Sequence, residues 1–414
     1  MRILKGDNLI PLILTYAVMI LVYKQTNYHF DYMGFANEYS GIKGLISSIC
    51  VLLLFFLNKF NSDNFMRAVA LAITLFFCFP VLIFYQFNDV ASIHTVVSVF
   101  IFLGTIITLC RVFPLKVKPI KKKVQMNWIL ILLAIGALFL FYPYIDFGAI
   151  FSKNVYEIRA KFREIESPIY LGYVFGVLTR VVFPFLMIYS LITKKYILFI
   201  LTLFCILVLF SLGALKSVIL GGLITIIFYF GSSYRDKIHI ILSGVFILFV
   251  LSLLEEFSQN TYFINDYFTR RVFFTPALLQ NIYFNEFQSS YTMWMHTSLS
   301  QIFDVQLFNK PITFYIGEDV MGLSGHNASI GILTEGYISY GYIGVFFHSI
   351  IIASFFILMR GLNIRHQYFG IILTYIYICR TSFIFPLMAS HMLVFLILFA
   401  WLFMSEKKRN VCNV

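Results

Sequence analysis

Read by hydropathy alone, the chain alternates long apolar blocks with short charged joints. About 12 blocks approach the ~20 residues that a bilayer core requires of a helix: 8–23, 42–58, 68–87, 92–110, 127–145, 169–192, 196–212, 217–232, 239–254, 338–359, 367–385 and 387–405. Apolar residues run through these blocks continuously, which excludes the two-residue alternation of a transmembrane β-barrel. The pattern predicts an all-α polytopic integral membrane protein, a single membrane domain over residues 1–414. The first block, Leu9 to Tyr23, carries no small-residue cleavage site and reads as a first span, not as a cleaved signal.

Two polar interruptions break the rhythm, one over residues 146–168 and one over 255–337. The second stays polar and aromatic as far as Gly344, several span lengths in all. It is too apolar in places, as in VFFTPALLQNIYF, to be disordered, and is expected to lie on the membrane as short amphipathic helices. In the first, Arg159 and Arg163 are four apart and share a face of any helix that forms there.

Composition agrees: 414 residues, 60% hydrophobic and 12% charged, exclude a water-soluble domain of this size. Charge placement then decides topology. The joints Met1–Asp7, Lys59–Arg67, Arg111–Met126, Thr193–Lys195, Ser233–Lys237, Arg360–Arg365 and the tail hold most of the 31 Lys and Arg. Among the 19 acids they hold only Asp7, Asp63, Asp236 and Glu406. A Lys/Arg excess marks the cytoplasmic side, so both termini are expected there and both polar interruptions outside. The net charge of +12 is thus a topology signal and a headgroup contact, and no nucleic-acid partner is expected. The six cysteines sit in apolar runs or at the tail, without metal-ligand spacing, and read as packing residues.

The chemistry these residues permit is narrow. Glu318 and Asp319 are adjacent, but no Asp-x-Asp pair occurs and His326 has no partner at ligand spacing, so no metal or other cofactor is expected. Nucleophile elbows and phosphate loops are absent. What remains is cationic: Arg159, Arg163, Arg270 and Arg271 in the outer segments, with Arg180, Lys216 and Arg380 in or at the ends of spans. Arginine pairs bidentately with phosphate oxygens, and a charge inside a span is expensive enough to suggest a role. His348 and His391 read instead as neutral hydrogen-bonding residues between helices. The run GHNASIGILTEGYISYGYIG repeats Gly at short intervals, as where backbones approach closely, and brings His326, Asn327 and Glu335 to that approach.

Three features resemble the O-antigen polymerases of the Wzy type: the hydropathy plan with two outer loops, the run RRVFFTPALLQNIYFNEF, and HNASIGILTEGYISYGYIG. The piece LGALKSVILGG is also similar to a turn these proteins have between mid-chain spans. The resemblance implies a GT-C-like fold in the bacterial inner membrane, with periplasmic loops at 146–168 and 255–337. It implies an enzyme that polymerises undecaprenyl-diphosphate-linked oligosaccharide repeat units at the periplasmic face, by metal-independent and inverting glycosyl transfer. The partners it implies are a lipid-linked donor and acceptor, a chain-length regulator and a flippase. On that reading Arg159, Arg163, Arg270, Arg271, Lys216, Arg180, Arg380 and Asn327 contact diphosphate or glycan. Glu335 or His326 is then the general base. An O-antigen ligase shares the plan, and a lipid-linked oligosaccharide flippase is the alternative from another class.

Overall fold

In a hydrocarbon slab each backbone N–H and C=O must find a partner within the protein, and a helix supplies all of them locally. The apolar blocks accordingly form helices in the computed structural model, which describes residues 9–59, 63–118, 135–136, 138–145, 168–212, 216–259 and 261–405. Eight helices are long and apolar enough to cross a membrane: Leu9–Met33, Gly41–Lys59, Asn64–Phe87, Ile93–Val112, Tyr170–Ile192, Tyr234–Ser258, Ile332–Gly361 and Ile384–Met404. Among the described residues there is no strand beyond one isolated bridge, Ile364 to Ser405.

Eight of the expected blocks match these helices. Blocks 196–212 and 217–232 form shorter apolar helices, Tyr196–Ser211 and Ser217–Tyr229. Block 367–385 yields Phe369–Thr381, a 13-residue helix that stops before Ser382. Residues 127–134 and 137 of block 127–145, and the segment bearing Arg159 and Arg163, lie outside the described residues.

Several helices contain π turns, and three of them end two residues before a proline. Thr74–Cys78 precedes Pro80, Leu178–Val182 precedes Pro184, and Asn265–Phe274 precedes Pro276. Proline has no N–H, and its ring clashes with the carbonyl four residues back; the wider i→i+5 winding relieves that clash without ending the helix.

The chain divides into two compact units. The first comprises Met1–Pro114, Ile238–Ile357 and Ile376–Ile384. Its centre is the helix Asn64–Phe87, of which 94% of the most apolar window is buried, against 33% for Gly41–Lys59 at its side. Rings close the interior: Tyr23 stacks on Phe87 at 5.5 Å between centroids and meets Phe274 edge-on at 5.3 Å. Lys43 joins two ends of this unit, its ammonium donating to the carbonyls of Asn88, Asp89 and Ala91 at 2.9, 2.7 and 3.1 Å.

The second unit comprises Leu115–Lys237, Leu358–Tyr375 and Phe385–Val414. Here Phe185 stacks on Tyr368 at 5.3 Å and meets Phe399 edge-on at 5.0 Å. Lys237 is wholly buried and caps a helix end, donating to the carbonyls of Phe228, Phe230 and Gly231. The sequence reading counted Lys237 among the charges at the membrane surface, but its ammonium serves the protein's own carbonyls.

Candidate functional site

The Gly-rich run does not make one straight 30-residue helix. Helical geometry fails at Tyr340 and Gly341, where Gly341 takes φ 61° and ψ −142°. An added Cβ on Gly336 would stand 2.7 Å from the carbonyl oxygen of Gly344. Residues eight apart in a continuous helix are separated by about 12 Å, so residues 332–339 turn back against the start of 342–361. Only glycine at both crossing points permits this approach, and positive φ at the turn favours glycine again. The expected span at 338–359 therefore corresponds to 342–361, and Glu335 lies on the short helix folded against it.

That short helix is fixed from several sides. Gly331 packs on the backbone of Cys379 and Arg380. The carbonyls of Ile338 and Ser339, left open at its end, accept the N–H groups of Thr292 and Met293 at 2.8 and 3.1 Å. Glu335 is fully buried, and its Oε2 accepts the Ile384 N–H at 2.6 Å. Two fully buried imidazoles flank the carboxyl group: His296 Nε2 is 3.8 Å from Oε1 and His348 Nδ1 is 3.9 Å from Oε2. These distances exceed hydrogen bonds but permit strong electrostatic coupling away from water. His348 Nδ1–H donates to the Ile332 carbonyl at 2.7 Å, which fixes its tautomer, and its ring lies parallel to the Trp294 indole. His296 Nδ1 bonds the Thr292 hydroxyl at 2.7 Å.

The second cluster lies on the π-helix Asn265–Phe274. With i→i+5 winding, the residues four and five positions after Asp266 fall on either side of it. These are Arg270 and Arg271. Arg270 donates to Asp266 Oδ1, and Arg271 Nε stands 3.7 Å from the same oxygen. Arg270 is 5% exposed, with its guanidinium 4.2 Å from the Phe30 ring centre. The Arg271 side chain is 44% exposed and lies over Tyr267 at 5.2 Å.

His326 is half-buried, and burial together with the Arg270 charge lowers its pKa from the ordinary imidazole value. The neutral form, able to accept a proton, is thereby favoured near neutral pH. Asn327 beside it is exposed and accepts the Ser329 hydroxyl at 2.7 Å.

The remaining sequence-predicted residues divide between the units. Arg380 is buried in the first; its Nη2 donates to the Phe273 carbonyl at 3.0 Å and its guanidinium faces the Phe77 ring. Its Nε and Nη1 have no hydrogen-bond partner among the described residues. Arg180 belongs to the second unit, where it donates to the Ser390 carbonyl at 2.8 Å. Lys216 opens the helix Lys216–Tyr229 of that unit. Arg159 and Arg163 lie outside the described residues. Sequence reasoning missed His296 and Asp266. Asp266 was visible in the i,i+4 spacing to Arg270; His296 had no local signal, because its partner Glu335 is distant in the chain.

Among the described residues no group of three His, Cys, Asp or Glu is placed to hold a metal ion. What these residues can do chemically is bind an anion through guanidinium groups, and accept a proton at His326.

The fold and these clusters define a multi-pass, all-α membrane protein with a polar, arginine-bearing segment in its first unit. Comparison with family models, curated proteins and solved structures finds no match.

Proposed function

We propose that the protein is an O-antigen polymerase of the Wzy type. It joins undecaprenyl-diphosphate-linked repeat units at the periplasmic face of a bacterial inner membrane. The observation that carries this reading is the arginine pair on the π-helix, coupled through the Arg270 charge to the neutral-leaning His326. A glycosyl diphosphate already holds its leaving group. The enzyme therefore needs cations for the departing diphosphate and a base for the acceptor hydroxyl.

On this reading Arg271, the more exposed of the pair, meets the diphosphate first, and Arg270 completes the contact. His326 takes the acceptor proton. Glu335, buried and bonded to the Ile384 N–H, acts as a positioning residue that holds the short helix. A single displacement with one base inverts the anomeric centre. The cytoplasmic termini, the 12-span count and the GT-C-like plan belong to the same proposal, as do Arg159, Arg163, Arg180, Lys216, Arg380 and Asn327 as substrate contacts. A flippase and a chain-length regulator are the partners it requires.

The test is made in the producing cell. Arg271→Ala and His326→Ala, each at normal protein level, are expected to abolish long surface polymer. They should leave single repeat units on the final acceptor. Persistence of long polymer in both variants overturns the assignment, and polymer accumulating on the carrier lipid would indicate a ligase instead.

A further inference from the structure

We propose that Glu318, together with Lys310, is the positioning pair for His326: it latches the loop 317–326 shut and so fixes the imidazole. The proposal rests on the function proposed above for the role of that imidazole as base, and adds the residues that hold it in place.

The His326 side chain has little support of its own. Its Nε2 is buried without a hydrogen-bond partner among the described residues, so the ring is placed by the backbone that carries it. That backbone turns at two glycines of positive φ, Gly322 at 71° and Gly325 at 67°. Glycine permits such a path but loses the most conformational freedom when it is ordered, so the loop needs contacts to close it. Its two ends are well held. Gly317 packs so tightly on the His326 carbonyl that an added Cβ would overlap the oxygen, and the Leu323 N–H donates to the Gly317 carbonyl at 3.0 Å. Beyond the histidine, the Ala328 N–H donates to the Thr313 carbonyl at 2.9 Å, and the Ala328 carbonyl accepts the buried Tyr283 hydroxyl at 2.9 Å. At the tip, Glu318 Oε1 accepts the Gly325 N–H at 3.1 Å. Among the described residues this is the one side-chain hydrogen bond to the backbone of 321–326.

Glu318 is well placed for that task. It stands on the π turn Tyr315–Val320, directly after the buried Ile316 and Gly317, so its backbone is anchored while its carboxylate stays at the surface. Its Oε2 accepts the Lys310 ammonium at 2.7 Å, and Lys310 donates to Asp319 Oδ1 at 2.7 Å as well. The adjacent acids of the polar segment thus hold a lysine. The Lys310 bond keeps the Glu318 carboxyl below its ordinary pKa, so it is a carboxylate near neutral pH. An N–H bond to a carboxylate is stronger than one to a neutral acceptor. The ion pair itself adds little stability, because the Lys310 and Glu318 side chains are 31% and 30% exposed. Its effect is to aim the carboxylate at Gly325. Loss of either side chain should therefore loosen the loop without unfolding the protein.

The experiment labels the purified full-length chain in detergent with diethyl pyrocarbonate and reads carbethoxylation at each histidine by peptide mass spectrometry. His239, exposed and outside the loop, is the reference. Glu318→Ala should raise the His326-to-His239 labelling ratio about fivefold, the worth of one exposed charge-assisted hydrogen bond, with an unfolding temperature near that of wild type. Glu318→Gln keeps an acceptor for the Gly325 N–H and should restore most of the wild-type ratio. Lys310→Met should act in the same direction as Glu318→Ala, and replaces it if Glu318→Ala fails to fold. An unchanged ratio in the folded variants, or equal ratios for Glu318→Gln and Glu318→Ala, overturns the latch. Labelling needs no substrate, so that outcome leaves the polymerase reading standing. A raised ratio with long surface polymer retained in cells supports the latch and overturns His326 as the base.

Discussion

The crossing of Gly336 and Gly344 makes a quantitative prediction. Replacing Gly336 by alanine places a Cβ 2.7, 2.8 and 2.9 Å from the Gly344 oxygen, the Gly344 carbon and the Val345 nitrogen. All three are backbone atoms, and no side-chain rotation can relieve them. Ordinary contact begins near 3.4 Å, so the two segments must separate by about 0.7 Å. Overpacking of this kind costs about 1–3 kcal/mol. Gly344→Ala meets the Gly336 backbone still more closely and should cost at least as much. Glu335 precedes Gly336, so the displacement also strains the bond from the Ile384 N–H. For the polymerase proposed above, a misplacement approaching 1 Å would lower the rate about 100-fold. The control is Gly104→Ala in the helix Ile93–Val112, where a Cβ meets nothing within 4 Å and alanine should stabilise by up to about 1 kcal/mol. The assay is thermal unfolding of purified protein in one detergent, followed by polymer length in cells. If Gly336→Ala and Gly344→Ala unfold at the temperature of Gly104→Ala, the folded-back helix is wrong.

Three further perturbations test separate parts of the structure. Glu335→Gln can keep the bond from the Ile384 N–H, whereas Glu335→Ala strands that buried donor at about 1–3 kcal/mol. Melting temperatures should fall in the order wild type, Gln, Ala, and equal melting of all three would refute the buried role. Lys237→Met removes the donor shared by the carbonyls of Phe228, Phe230 and Gly231. Each carbonyl left unsatisfied should cost about 1–3 kcal/mol, read as a lower unfolding temperature, and an unchanged temperature would show that the lysine is not a cap. For His326 the pKa is lowered in the fold, first by burial and then by Arg270. The unfolded chain therefore binds the proton at higher pH than the native protein. Its contribution to stability is full above the unfolded value near 6.5 and declines as pH falls below it toward the folded value. Unfolding temperatures measured between neutral and mildly acidic pH should drop less steeply in His326→Gln than in wild type, and identical slopes would contradict the shift.

The sequence made the helices legible because bilayer-length apolar blocks have few alternatives. Glycine spacing likewise exposed the close approach around Gly331, Gly336 and Gly344, since a backbone crossing needs a missing Cβ wherever it occurs. The arginines stood out as a pair, but their shared Asp266 did not. Its i,i+4 spacing to Arg270 could have shown one half of that relation; the approach of Arg271 depends on π winding, which is suspected from a proline just beyond the segment, as Pro276 stands here. His296 was illegible for another reason. It meets Glu335 only because residues 332–339 turn back at Gly341 and the 291–297 segment docks on their open carbonyls. No period in the sequence records such a long-range contact. Lys237 shows the opposite failure: its position suits a topology signal, yet its charge is spent on three carbonyls. A lysine at a span end therefore votes for the cytoplasmic side only where no helix terminus lies within its reach. The cluster Arg111–Met126, with KKK at 121–123, carries more topological weight than any single basic residue at a joint.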